Sequence, residues 1–148
     1  PRDRVMEVMQ KDLTSLVGPQ VAERFGLDQP LPAPEQAARE DLQRVAHCDA
    51  LPEHLLPRMV SVQRLRDTSL AQAALDAVEQ FGAPVVVITG TGNAREDWGA
   101  PYLGRKAAPE VAVFSLGQGE AGGVPAGGFG FVADGPAVDR GDPCDAFN

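Results

Sequence analysis

Four β-branched residues in succession, Val85-Val86-Val87-Ile88, run without a polar interruption into the turn-rich stretch Thr89-Gly90-Thr91-Gly92-Asn93-Ala94-Arg95. An apolar run with no alternation fits a strand covered on both faces, and such strands belong mainly to α/β sheets. In those sheets ligands sit beyond the carboxyl ends of the strands, in loops whose polar groups are free of the ladder. The pattern therefore predicts a central, buried strand over Pro84–Thr89 and a site loop over Gly90–Arg95. A dinucleotide fingerprint is a poor match, because Arg95 stands where its third glycine should be, and no Gly-Lys-Ser or Gly-Lys-Thr follows to make a phosphate loop. A plain structural turn is the competing reading of the same glycines.

Upstream the signal is helical. Val5, Met6, Met9, Leu13 and Leu16 recur at three- and four-residue steps and predict a helix over Arg2–Val17. Alternate prolines in Gln29–Pro34 make that stretch an extended connector, and Pro34 opens a helix that reaches about His47, ended by Leu51-Pro52. The longest helix spans Glu53–Phe81, with Leu55, Met59, Val62 and Leu65 on one stripe and Leu70, Ala74, Ala77 and Phe81 continuing it. Gln63 and Asp67 are four apart and share a face, so both are expected to line a cleft with the loop Gly90–Arg95. The alternative is an exposed polar face on which Asp67 pairs with Arg64 or Arg66. Gly82-Ala83-Pro84 stops this helix.

A short helix over Ala100–Ala108 and strands over Glu110–Leu116 and Phe129–Ala133 complete the pattern. Parallel strands joined by a right-handed crossover are the default for such a unit. Residues 117–130 hold seven glycines and read as a mobile surface loop, with a lid over a ligand as the alternative. The expected fold class is α/β, a three-layer α/β/α arrangement with a mainly parallel central sheet. It forms one domain portion, mainly helical over 1–83 and strand-rich over 84–148. Three strands are few for a doubly covered sheet, so the domain is expected to be incomplete.

The net charge of -8, with acidic residues spread along the chain, argues against a nucleic-acid groove, which needs clustered Lys and Arg. No apolar run is long enough for a transmembrane helix. His47 and His54 are seven apart with Pro52 between them, which is not the one-face pair of a helical zinc site. The two cysteines show no metal-site spacing and sit in polar segments near prolines. A Cys48–Cys144 disulfide and export to an oxidising compartment are predicted, with two buried free thiols as the alternative.

Several ordered motifs resemble the ChaN family of bacterial haem-binding, iron-regulated proteins. They are Met59-Val60-Ser61-Val62-Gln63-Arg64-Leu65-Arg66-Asp67, Pro84 to Thr89, the Gly-Thr-Gly-Asn-Ala-Arg loop, Asp97-Trp98-Gly99 and Ser115-Leu116-Gly117-Gln118. His47-Cys48-Asp49-Ala50-Leu51-Pro52 and Asp142-Pro143-Cys144 resemble it too, so the likeness covers most of residues 28 to 147. The family pattern after the strand is Gly-Asn-Gly-His-Ala-Arg, whereas this chain has Thr91 and Asn93 in place of the Asn and the His. An imidazole can ligate iron or move a proton near neutral pH, while an amide only hydrogen-bonds. The family's opening strand, with its Gly-Glu-x-His type motif, has no counterpart here, so a further amino-terminal segment or a second subunit is expected to supply the missing strands.

The resemblance implies a haem- or porphyrin-binding protein of bacterial iron acquisition, a homodimer placed in the periplasm or cell envelope, where a lipoprotein anchor is compatible with it. Gln63, Asp67, Gly92, Asn93, Arg95 and Tyr102 are the expected cofactor-binding residues, with no catalytic and no metal-ligating residue. Groups of a type that can ligate haem iron are His47, His54, the three methionines, the two cysteines and Tyr102, the single tyrosine. The resemblance also admits a different class, a metal-dependent or Glu/His-type hydrolase related to Tiki proteases and erythromycin esterases, or a non-catalytic subunit. Those enzymes act through His and Glu, and Asn93 stands where the loop His would be.

Overall fold

The computed structural model describes residues 6–147. It divides into two compact units: residues up to Leu65 together with those from Asp139 onward, and Arg66–Val138. Val5 and the start of the predicted first helix lie outside the described residues.

In the first unit the predicted helix over Arg2–Val17 is broken. Residues 6–8 are helical, and Asp12 then caps a new helix α1, Leu13–Val17. The Asp12 carboxylate accepts the Ser15 backbone N–H at 2.8 Å and its hydroxyl at 2.7 Å, an N-cap that restarts the helix inside the apolar periodicity. Those bonds hold the Asp12 carboxyl below its usual range. Gly18 divides α1 from α2, Pro19–Phe25, which ends at Gly26 in the left-handed conformation. Helix α3 runs Ala33–Ala46, beginning where alternate prolines give out, as expected.

A single 3-10 turn, Glu53–Leu55, leads into α4, Leu56–Phe81, which runs through both units. Its buried stripe is Leu56, Val60, Val62 and Leu65, then Ala71 and Leu75. The predicted stripe is therefore correct at Val62 and Leu65 but misplaced further on: Leu75 is inside and Phe81 is exposed. The helical periodicity of this sequence supports more than one face, and the neighbours that choose between them are not local. Val8, Leu13, Ala22, Phe25 and Leu27 join the amino-terminal half of α4 in burying the first unit's apolar side chains.

The second unit holds the carboxyl-terminal half of α4, a one-turn helix α5 at Thr91–Ala94, helix α6 at Ala100–Ala107, and strands β1, Leu116–Glu120, and β2, Phe131–Gly135. The two strands are parallel, with Leu116 opposite Phe131 and Glu120 opposite Gly135. The fold is α/β with an incomplete sheet. Among the described residues no helix is long and apolar enough to cross a membrane.

Three strand expectations need correction. Residues 84–90 are neither helix nor ladder, and Val86 and Ile88 are 82% and 95% exposed, so no buried central strand forms there. An apolar run signals a demand for cover on both faces, but a ladder needs a neighbouring strand, and the described residues put none beside it. The strand predicted over Glu110–Leu116 begins only at Leu116, and the one predicted over Phe129–Ala133 runs Phe131–Gly135. Part of the supposed mobile loop is thus β1 itself. Gly117 and Gly119 are buried there, and a Cβ on Gly117 would stand 2.7 Å from the Phe129 ring, while one on Gly119 would strike the Gly123 carbonyl. These glycines serve close approach, which a count of glycines cannot distinguish from flexibility.

The predicted bridge is present: Cys48 and Cys144 are bonded with Cα atoms 5.6 Å apart. Phe25 is the largest fully buried side chain. Phe25→Ala is expected to destabilise the first unit by about 3–5 kcal/mol, the usual range for emptying a buried aromatic site; equilibrium urea unfolding read by circular dichroism measures it, and a loss under about 1 kcal/mol would show that this burial contributes little.

Candidate functional site

The second unit brings Asp67 of α4 and Asn93 of α5 together. Asp67 is fully buried, and its carboxylate accepts a hydrogen bond from the Asn93 side-chain amide at 2.7 Å. The helix positions the carboxylate, and the turn positions the amide. Gly90 starts that turn in an extended conformation, and its carbonyl accepts the backbone N–H groups of Asn93 and Ala94 at 2.9 and 3.2 Å. Asp67 therefore has a partner across the unit, 26 residues away in sequence. The amide at position 93 donates without a titrating proton of its own.

Arg95 has the opposite disposition. It is 7% exposed, and its guanidinium makes a two-pronged bond to Asp97, with Nε to Oδ1 at 2.8 Å and Nη2 to Oδ2 at 2.5 Å. The same group lies 3.6 Å from the centroid of the Trp98 ring, a cation–π contact. The backbone of Gly127 comes so close that a Cβ there would overlap the arginine side chain. Gly127 has a φ of +119°, which glycine alone adopts readily. The Arg95 pair holds the Asp97 carboxyl below its usual range.

Glu96 extends this clamp. Its backbone N–H donates to the Gly128 carbonyl at 2.8 Å, and its carboxylate accepts from the Ser115 N–H at 3.1 Å and from Arg105 at 2.6 Å. Arg105 also donates to the Val113 carbonyl at 2.8 Å, and the Ser115 hydroxyl donates to the Ala94 carbonyl. At Gly99 a Cβ would lie 2.7 Å from the Arg95 carbonyl oxygen, so only glycine lets the turn close before α6 begins. Three segments, 90–99, 113–115 and 127–128, are thereby bolted together.

Of the six predicted site residues, Asp67 and Asn93 are in contact, and Gly92 is exposed at the tip of the turn. Tyr102 is 44% exposed on α6. Arg95 turns inward to Asp97 and Trp98. Gln63 stands on the first-unit portion of α4. Glu96, Trp98, Ser115 and Gly127 were missed from sequence. Trp98, three residues beyond Arg95, was the one local sign; the others join only through the fold. Among the described residues no three His, Cys, Asp or Glu side chains are grouped so as to hold a metal ion.

An α/β unit whose apolar run leads into a glycine-bracketed polar turn is the class of protein that geometry and sequence define. A family model described as haem-binding uptake, Tiki superfamily, ChaN matches residues 1–103, and the chain belongs to that family. The match reaches further toward the amino terminus than the quoted motifs do and stops before Ser115 and Cys144. Neither the curated proteins nor the solved structures contain a match.

Because the Asp97 carboxyl is depressed by Arg95, the pair contributes stability above the usual aspartate range, and that contribution is lost as pH falls through the lower, folded-state value. Trp98 is the chain's single tryptophan and reports on it directly. Its fluorescence is expected to change with a midpoint below 3.8, the ordinary aspartate value, and Asp97→Asn is expected to abolish that transition. A wild-type transition that persists unchanged in the variant would assign it to another carboxyl.

Proposed function

We propose that this chain binds haem in bacterial iron acquisition, using the apolar run Val86–Ile88 and the turn that follows it. The observation that carries the reading is that Val86, Val87 and Ile88 are all exposed, directly before Gly92 and Asn93, in a chain of a family described as haem-binding uptake. A flat apolar macrocycle needs such a surface, with a few polar groups to orient it.

The residues present fit haem in kind. Tyr102 offers a partly exposed phenol, and phenolate oxygen is a known class of haem-iron ligand. Lys106 is exposed and lies four residues further along α6, on the same helix face, where its ammonium suits a propionate. His47 Nδ1 is engaged by the Gln43 carbonyl at 2.8 Å, which leaves Nε2 as its other ring nitrogen, and both cysteines are committed to the disulfide. Bound haem supplies a redox-active iron centre; the chain's own residues shield the ring and fix its tilt. In this reading Tyr102 is the ligand, Gly92 allows close approach, and Asn93 orients the cofactor from its bond to Asp67. Arg95 acts by holding the turn, and Gln63 remains a candidate on the other portion of α4.

The same reading includes export to the periplasm or cell envelope, which the disulfide favours, since such bonds persist in oxidising compartments. It also includes a homodimer or a further segment whose strand pairs with 85–89, because an exposed β-branched run of this kind invites pairing. No observation favours the hydrolase alternative, in which a titrating group would be needed where Asn93 stands.

Haem titration followed in the Soret region tests the proposal. Saturable binding with a shifted band is expected, with Tyr102→Phe weakening it by about tenfold or more and altering the spectrum. Asn93→His is expected to strengthen binding or change the band, because a nitrogen ligand returns beside Asp67. A band that stays that of free haem at all protein concentrations would overturn the reading.

A further inference from the structure

We propose that residues 124–128 form a strap, which closes over the Arg95–Asp97 pair and lifts from it as a unit while the turn 90–99 stays formed. Three observations lead there, all of them within the second unit. The first is how little holds the span. Ala121 N–H donates to the Gly135 carbonyl at 2.9 Å, Gly122 N–H to both oxygens of the Asp134 carboxylate at 3.1 Å, and Gly123 N–H to the Glu120 carbonyl at 2.8 Å, so the chain is pinned beside the strands as far as Gly123. From Val124 to Gly127 no hydrogen bond to another described residue is made, and Val124 is 78% exposed. The next bonds are at Gly128. Its carbonyl accepts the Glu96 N–H at 2.8 Å, and its own N–H adds to the larger effect of Arg95 in holding the Asp97 carboxyl low. Gly128 is the latch. Exposure and few bonds are the properties of segments that open at small free-energy cost.

The second observation is what the strap covers, and with what. A Cβ on Gly127 would stand 2.4 Å from Arg95 Nε, and one on Gly128 would stand 3.7 Å from Asp97 Cβ. Two consecutive glycines therefore lie against the two members of the ion pair. A glycine contact has no side chain to disengage when the segments part.

The third observation is that the covered pair is complete without its cover. The Arg95 guanidinium bonds to Asp97 and lies against Trp98, and none of its hydrogen bonds goes to the strap. The turn is closed by its own bonds, Asn93 N–H to the Gly90 carbonyl at 2.9 Å and Gly99 N–H to the Arg95 carbonyl at 3.0 Å. Lifting the strap breaks neither the pair nor the turn. It exchanges a backbone cover for water, and a guanidinium regains hydration that burial had removed. Lost contacts and regained hydration offset each other, which brings the open and closed states close in free energy.

The strap thus sets when this cation and the indole beside it are reachable from solvent. Arg95 lies two residues beyond Asn93, so on the haem reading the strap regulates access to one end of that site. This last link rests on the haem reading, whereas the strap itself does not.

Amide hydrogen exchange of the full chain, followed residue by residue by NMR, tests the strap. The Glu96 amide reports the latch, and the Asn93 and Gly99 amides report the turn. After correction for intrinsic rates, Glu96 is expected to exchange about tenfold faster than either, because opening the strap alone frees it. Protection of Glu96 equal to or greater than theirs would show that strap and turn open together and would overturn the proposal. Gly127→Ala gives a second reading, since its Cβ would overlap Arg95 and a φ of +119° is unfavourable to alanine. Phenylglyoxal labelling of Arg95, measured by mass spectrometry against the exposed Arg58 and Arg66 in the same sample, is expected to rise about tenfold in the variant with the helical circular dichroism unchanged. Labelling of Arg95 at the wild-type rate in a folded variant would also overturn the proposal, and if the variant does not fold, the wild-type exchange comparison decides alone. None of these readouts involves haem, so a failure here leaves the haem reading standing and the reverse also holds.

Discussion

The second unit depends on the burial of one charged group. A guanidinium at 7% exposure is costly unless every face of it is answered. Here Asp97 neutralises the fork, Trp98 covers one face of the plane, and Gly127 brings backbone close beside the stem. Each of those partners comes with its own segment, so satisfying Arg95 also positions the turn before it, the helix after it and the crossover between β1 and β2. Glu96 repeats the logic one residue on, with Ser115, Arg105 and Gly128 as its answers. The geometry around Asn93 is a consequence of that clamp.

Legibility from sequence followed the range of the interactions. The connector Gln29–Pro34, the start of α3, the stop at Gly82 and the short helix α6 were readable because proline, glycine and four-residue periodicity act within a turn or two of themselves. The disulfide was readable too, since two cysteines in polar turns leave only one intramolecular pairing. Strands fared worse. Whether Val85–Ile88 becomes a strand depends on a neighbour that the run itself does not specify, and Leu116–Glu120 became one despite two glycines because Phe131–Gly135 lies alongside. The buried stripe of α4 slipped for a similar reason, as several faces of that helix carry apolar residues.

The site showed the same division. A four-residue helical spacing singled out Asp67, and a glycine-bracketed turn singled out Asn93, yet only the tertiary fold joined the two at 2.7 Å. The alternative partners, Arg64 and Arg66, were closer in sequence. Arg64 donates to the carbonyls of Gly26 and Gln29 in the first unit, and burial holds its guanidinium below its usual range. A bond spanning 26 residues is not signalled by local charge spacing.

The exposed run at 85–88 and the tightly bolted turn after it make opposite demands. A β-branched segment with apolar side chains on both faces is unfavourable in water, by roughly 25 cal/mol for each Å² of apolar surface that cover would remove. The turn is already over-determined and has little freedom to rearrange toward that cover. Cover for such a segment comes in two kinds, strands that pair along its edges or an apolar surface laid against its face. Those two kinds of cover are compatible, because a strand occupies the hydrogen-bonding edge while a flat ring occupies the side-chain face. The polar turn is fixed by its own hydrogen bonds, while the apolar segment before it is neither helix nor strand and stays exposed.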